Sequence, residues 1–566
     1  MRISHSDPMK QFTKNNWFWL ILGILLVGII GLDLPVMDVD ASQYASISME
    51  MLQNGSWLEV QHRHADYLDK PPLLFWTAAL SYLLFGINTW AYKLPSFLGA
   101  ILGIYSVYRF SRLYYSKEVA ILAAFILGST VGCWLLLNDV RTDTLLMGMS
   151  ATSVWMLAEY QLKKKYSFLI GTGIFVGLAM LAKGPIGLIL PGAALASHLL
   201  LSNNWRDVFR WEWLLIPLVI ALTLTPMCIG LYHQFDLHPE KVVNGKEGVS
   251  GLYFYFWEQS FGRITGENVW KNNTSSFYFL HVYAWAFLPW TLFLIPSLFS
   301  KFKKLLSNKL QLNPGEEAYS IGAFTLLFIA LSLSKYKLPH YIFITLPWGA
   351  VITAQWVITT TKLKKWAIAQ WIITLLLVLI LALITGIVFP AQSPTKLLIW
   401  VPLIAGSCWI LYKTYPSLLN PSTYWQLQTG TGLLIGLILN VHLYPSLLPF
   451  QSTTVAGKYF HEMNIPIRQR AQMGYGGHAL DFYSKSIIPH LKTAEEVLDS
   501  VQLNGPIWIY TREGGREQLD AAGIPYEIVA QFKHYQPALL SMPFLNPKTR
   551  ESRLIPVEIV KVAATK

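Results

Sequence analysis

Residues 17–40 read WFWLILGILLVGIIGLDLPVMDVD. From Trp17 to Leu34 the run is apolar but for Asp33, and it has the length of a transmembrane helix, for which about 17–25 residues are needed. No small-residue cleavage site follows, so the run is expected to remain as a first span rather than leave as a signal peptide. Directly beyond it stand Asp38 and Asp40.

The chain has 566 residues, of which 53% are hydrophobic and 13% charged. Soluble domains carry about 25% charge, so a soluble globular fold is excluded and a polytopic membrane protein is implied. The mean hydropathy of +0.39 agrees, and 22 Trp with 28 Tyr suit aromatic belts at the membrane interfaces. Thirteen stretches qualify as candidate spans: 17–34, 90–109, 118–137, 144–162, 166–182, 185–202, 212–232, 278–299, 317–333, 339–360, 366–389, 397–414 and 426–445. Of these, 166–202 reads equally well as one broken hairpin. The fold expected is an all-α polytopic membrane domain over 1–449. Cys133, Cys228 and Cys408 all lie in apolar runs. They read as buried free thiols, not as a disulfide framework or a metal site.

Charge then sorts the loops. One set carries Lys10/Lys14, Arg109/Arg112/Lys117, Lys163-Lys164-Lys165, Arg206/Arg210, Lys301/Lys303/Lys304/Lys309, Lys362/Lys364/Lys365 and Lys413. The positive-inside rule makes these loops cytoplasmic, with the N-terminus. The other set faces out: the first outer loop 35–89, then 138–143, 183–184, the long outer loop 233–277, 334–338 and 390–396. Residues 450–566 follow the last span on that same side, and their character changes. Apolar runs shorten to strand length, as in Ile507-Trp508-Ile509-Tyr510, and glycine turns multiply, as in Gly474-Tyr475-Gly476-Gly477. Residues 493–502 have a helical period, with Thr493 as cap and Glu496 three residues on. A small C-terminal α/β domain on the outer, periplasmic side is expected.

Outward loops should be poor in Lys and Arg, so the exceptions stand out: Arg63, Lys70, Arg141, Lys183, Arg263, Lys271, Lys335, Lys337 and Lys396. For Lys271 and Lys396, snorkelling to lipid headgroups explains the charge. Lys70, Lys183 and Lys337 have Pro or Gly close by, which fixes the backbone, and Lys183 sits between two apolar runs where an ionisable group needs a partner or a wet cavity. Lys binds phosphate as a point charge, while Arg forks onto two oxygens. The outward acids complete the set. Ala41 to Leu52 runs at helical spacing and suits a short helix in the interface plane, so Asp40 reads equally as an N-cap or as a catalytic acid. Asp69 can pair with Lys70, Asp139 and Asp143 bracket Arg141, and Glu258 falls on an amphipathic helix with Phe254, Trp257 and Phe261. His62-Arg63-His64 reads as a solvated loop, and no metal-binding spacing is present.

Taken together, these motifs resemble the lipid A aminoarabinose transferase family of the GT-C membrane glycosyltransferases, relatives of the protein O-mannosyltransferases. The matching stretches are Asp40 to Leu52, Tyr67 to Trp76, Leu84-Phe85-Gly86, Asp143, Leu181 to Pro191, Trp257 to Arg263, Leu288-Pro289-Trp290 and Ser334 to Tyr341. The resemblance implies a fold of about thirteen spans with periplasmic surface helices, in the bacterial inner membrane. It implies inverting transfer of a sugar from a polyprenyl (undecaprenyl) phosphate to a periplasmic acceptor such as lipid A, another envelope glycan or a protein. It places Asp40 at the family's acidic position, with Asp38 and Asp143 as further catalytic candidates, and Lys70 on the carrier phosphate. Tyr67, Asp69, Lys183, Glu258, Arg263, Lys335, Lys337 and Tyr341 are the expected carrier and sugar contacts. No cofactor is required, since a lipid-linked donor replaces a nucleotide sugar. The chain departs from the family where it has Ala41, Gln43 and Asp69 in place of Glu, Arg and Glu, which leaves donor sugar and acceptor open. A lipid-linked sugar flippase is the alternative: it too needs outward cations, but also a charged path across the membrane.

Overall fold

The computed structural model describes residues 14–243, 245–259, 274–361, 363–390, 394–414 and 421–563. Arg263, Lys271 and the side chain of Lys396 lie outside the described residues. The molecule is mostly helical, and each of the thirteen apolar stretches falls on one to three consecutive helical elements. By length and composition alone, five helices suffice to cross a membrane, or six if the bent pair Lys117–Ser129 and Val131–Asn138 counts as one. Charges and breaks account for the difference. Thr89–Tyr114 spans 26 residues but contains the fully buried Lys93. Thr142–Lys163 begins beside Asp143 and carries Glu159. At the bend, the Thr130 hydroxyl accepts from the Cys133 amide and starts a new helix. Residues 166–202 resolve into two helices, Tyr166–Lys183 and Ile186–Leu201, with Gly184 at φ +82° between them. That positive φ favours glycine.

Two devices hold the helical body together. Small residues let backbones meet: a Cβ on Gly148 would collide with the Gly99 carbonyl, so the helix that carries Asp143 lies directly on Thr89–Tyr114. Buried charges find partners: Glu159, fully buried, takes Lys163 at 2.5 Å and Arg109 at 3.3 Å. Lys93 donates to the Gly31 carbonyl at 3.2 Å.

The expected helix after the first span is present as Asp40–Asn54, but it does not lie open on a surface. Nearly every residue from Ala41 to Met51 is buried, against Leu73–Phe85 on one side and His478–Ser484 on the other. Its polar residues are bonded within the protein. The fully buried Glu50 accepts the amides of Arg63 and His64, both at 2.7 Å, and so holds the turn of the hairpin formed by Gln61–His62 and Ala65–Asp66. Both turn residues have positive φ, which an anchored turn can sustain.

Beyond Phe450 the chain builds a five-stranded sheet in the order His490–Leu491, Arg470–Met473, Ile507–Arg512, Ile555–Val562, Glu527–His534. The first three strands run parallel, and the last two pair antiparallel. The expected helix appears as Ala494–Asn504, where Thr493 accepts from the Glu496 amide and Glu496 accepts from that of Lys492. The sheet region grips the first loop at several points. Arg63 pairs with the buried Asp481 at 2.7 Å, the Val36 amide donates to Tyr483 at 2.8 Å, and Thr453 donates to Asp38 at 2.5 Å. Truncating Arg63 to Ala strands a buried carboxylate, at a cost on the order of 2–4 kcal/mol. The detergent-solubilised Arg63→Ala protein is expected to melt at a lower temperature and to lose its C-terminal region faster to protease. An unchanged melting curve would mean that other contacts dock the sheet.

Candidate active site

Asp40 opens its helix without capping it. The Val39 N-cap position has no side-chain bond, and the Asp40 carboxylate turns instead to Arg141 at 2.5 Å. Arg141 also holds Asp139 at 2.9 Å, so one guanidinium bridges acids from two separate loops. The 139–141 turn is itself pinned where Tyr92 donates to the Val140 carbonyl at 2.9 Å. Burial opposes the charge on Arg141, but the carboxylates of Asp139 and Asp40 overcome it and hold the group above its ordinary pKa. Tyr44, one turn along the helix from Asp40, is raised well above its ordinary value by burial, with Tyr67, Asp40 and Asp69 adding to the effect. The first-loop acids and tyrosines therefore share one neighbourhood.

A second ion pair lies alongside. Asp143, in the first turn of Thr142–Lys163, accepts from Lys183 at 2.5 Å. Lys183 is the last residue of Tyr166–Lys183, so each charge complements its own helix dipole. The ammonium also stands 3.9 Å over the Tyr341 ring, a cation–π contact. The ring of His340 completes the group, with Nε2 at 3.8 Å from Asp143. Arg141, Lys183 and Lys70 all act electrostatically on that ring. Three cations predicted on separate outward loops thus converge around His340.

Lys70 pairs with the neighbouring Asp69 at 2.6 Å, and the Asp69 carbonyl accepts from Gln259. Lys70, Lys183, Gln259 and Tyr341 line one cavity, whose remaining wall is mainly apolar and includes Ile186, Ile189, Leu327 and Leu331. The cavity thus combines two ammonium groups with an aliphatic wall, the chemistry that suits an amphiphilic anion.

Not every predicted residue joins this cavity. Lys337 is buried and donates to the Thr274 carbonyl at 3.2 Å, and Lys335 is exposed. Asp38 faces the sheet region, where Ser42, Thr453 and the Ala479 amide all donate to it. Tyr67 packs edge-on to Phe75. Glu258 ends the turn Phe254–Glu258, which is wound as a π-helix. That winding adds a residue per turn, and Gln259, not Glu258, reaches the cavity; a reading by 3.6-residue period misses it. His340 was also missed, although it lies between the quoted Pro339 and Tyr341. His64 lies 3.1 Å from Glu50, and Arg63 is tied to Asp481, so the His62-Arg63-His64 turn serves the hairpin.

The arrangement has counterparts. A family model described as dolichyl-phosphate-mannose-protein mannosyltransferase matches residues 69–229. Among curated proteins, the undecaprenyl phosphate-alpha-4-amino-4-deoxy-L-arabinose arabinosyl transferase of Shewanella sediminis is 23% identical, over 60% of this chain and 59% of its own length. The protein of that name from Edwardsiella ictaluri is 25% identical, over 76% of this chain and 78% of its own. The crystal structure of ArnT from Cupriavidus metallidurans bound to undecaprenyl phosphate superposes with a TM-score of 0.71 at 18% identity, covering 97% of this chain and 99% of that one. The chain thus shares the fold of the ArnT structure. In sequence it is similar to the aminoarabinose transferases, as its motifs led us to expect.

The Arg141 bridge is testable apart from any activity. Arg141→Gln leaves Asp40 and Asp139 without their shared cation, which should cost about 1–2 kcal/mol after solvent screening. Differential scanning fluorimetry should show a lower midpoint for Arg141→Gln and a partial return for Arg141→Lys, which cannot fork between two acids. Identical midpoints for all three proteins would remove the bridge from the account.

Proposed function

We propose that this chain is a membrane glycosyltransferase that takes a sugar from a polyprenyl phosphate, of the undecaprenyl type, and delivers it to an acceptor at the outer face of the inner membrane. The observation that carries the reading is the cavity in which Lys70 and Lys183 face an aliphatic wall of Ile186, Ile189 and Leu327. In this arrangement the isoprenoid tail runs along the wall, and the phosphate lies between the two ammonium groups. Asp69, paired with Lys70, and Tyr341, beneath Lys183, shape the space around it. The thirteen-span count, the cytoplasmic N-terminus, and the division into 1–449 and a periplasmic 450–566 belong to the same proposal. They rest on the loop charges.

The chemistry follows from the charges. When the sugar leaves, negative charge grows on the carrier phosphate, and cations fixed there stabilise it. Attack from the opposite side inverts the anomeric carbon. Of the three candidate acids, Asp143 is committed to Lys183, and Asp38 to three donors. Asp40 has only Arg141, and its side chain is 39% exposed. We therefore assign Asp40 to the acceptor, which it orients or deprotonates. Where the acceptor is itself a phosphate, no strong base is needed, and positioning dominates. The acceptor class includes lipid A, other envelope glycans and proteins.

A flippase would need a polar route onward through the membrane. Apart from the two lysines, the charged residues give out, and Leu146, Leu327 and Ala330 are part of the wall. The test follows the release of free polyprenyl phosphate from a polyprenyl-phosphate sugar by purified protein with envelope acceptors. Lys70→Ala and Asp40→Asn are each expected to slow release by about 10²–10³. Equal rates in wild type and both variants would defeat the assignment.

A further inference from the structure

A second cavity, of about 470 Å³, lies between the start of the Asp40–Asn54 helix and the C-terminal sheet. The donor chemistry above does not use it. Its wall carries Asp38, Gln472, Tyr475, His478, His534 and Gln536. Glycine keeps it open: a Cβ on Gly476 would run into the Gln472 side chain, and one on Gly477 would reach Thr453 and Asp38.

The wall is rich in hydrogen-bonding groups but has little charge to offer. Arg63 borders the cavity, yet its guanidinium is taken up by Asp481 and by the Ile488 carbonyl. The Asp38 carboxylate already accepts from Ser42, Thr453 and the Ala479 amide. Burial holds His478, His490 and His534 below their ordinary value, so these rings are neutral at pH 7. His534 is bonded to Ser452 at 2.8 Å and to the Tyr475 hydroxyl at 2.6 Å. The Nδ1 atom of His478 is buried with no partner among the described residues. Neutral donors and acceptors, amides and an aromatic ring match the hydroxyls and ring faces of a sugar. No lysine is among the described lining residues, and the one guanidinium is held by a buried carboxylate, so an anion meets no ammonium group here.

Its position gives the cavity a task. Val39 lines it, so its edge is one residue from Asp40. Asp40 pairs with Arg141 at 2.5 Å, and Arg141 lies two residues before Asp143, the partner of Lys183 in the wall of the first cavity. We infer that this cavity binds a neutral, polyhydroxylated sugar unit of the acceptor and presents the acceptor to Asp40. The inference rests on the transferase reading and adds to it where the acceptor is recognised and by what chemistry.

The test uses the full-length protein in detergent and saturation-transfer NMR. Methyl glucoside and methyl N-acetylglucosaminide serve as probes, with inorganic phosphate as competitor. Gln536 is exposed, so Gln536→Ala should fold normally; Gly476→Val fills the cavity. Wild type should give a glycoside signal that phosphate does not displace. Gln536→Ala should weaken glycoside binding about tenfold, as expected for one or two lost hydrogen bonds, and Gly476→Val should abolish it. No glycoside signal in wild type, an undiminished signal in Gln536→Ala, or displacement by phosphate would each overturn the inference. Binding of polyprenyl phosphate is measured in parallel and should be unchanged in both variants. If Gly476→Val loses carrier binding as well, it has misfolded, and Gln536→Ala decides. Failure of the wild type to bind polyprenyl phosphate would count against the transferase reading alone.

Discussion

The ion pair between Asp143 and Lys183 joins two helices at the edge of the apolar body, and the site is built around it. Each charge is nearly buried, and neither is sustainable there alone. Their union sets the end of Tyr166–Lys183 against the beginning of Thr142–Lys163. It brings Tyr341 under the ammonium and leaves Lys183 beside Lys70 in one cavity. A buried pair of this kind is weak evidence for stability, but it constrains position strongly. Two helices whose dipoles both favour the pairing have one way to meet.

The same constraint recurs across this face of the molecule. Arg141 ties Asp40 to Asp139, Glu50 holds the amides of the hairpin turn, and Asp481 receives Arg63 from the sheet side. The Arg141–Asp40 and Arg63–Asp481 pairs join segments far apart in the chain. The first loop is therefore a structured layer between membrane helices and sheet, not a flexible strap. Its helix is buried on both sides because Asp40–Asn54 presents small and apolar residues in nearly every direction. Such a layer holds the two cavities in fixed positions, with Val39 in the wall of one and Lys70 in that of the other.

Much of the architecture was legible in the chain. The apolar runs gave the helices because backbone groups in hydrocarbon have few other ways to bond. Of the cations in loops read as outward, Lys70 and Lys183 line the cavity; charge at that depth is kept only where something requires it. Lys70, Lys183 and Tyr341 do share one cavity. Other roles were not legible. Asp40 reads as a cap by its place in the helix, yet it bonds Arg141, about a hundred residues on. Asp38, adjacent in sequence, turns to the sheet. The π-wound turn at Phe254–Glu258 exchanges the roles of Glu258 and Gln259, which regular spacing cannot foresee.

Sequence by itself determined that this chain is helical, lies in a membrane and gathers charge at its loops. Those properties follow from transfer free energies, which add residue by residue. Which charge meets which, and which acid stays available, was decided only in three dimensions. Electrostatic pairing depends on distance and burial, and both are properties of the packed structure that no single segment carries.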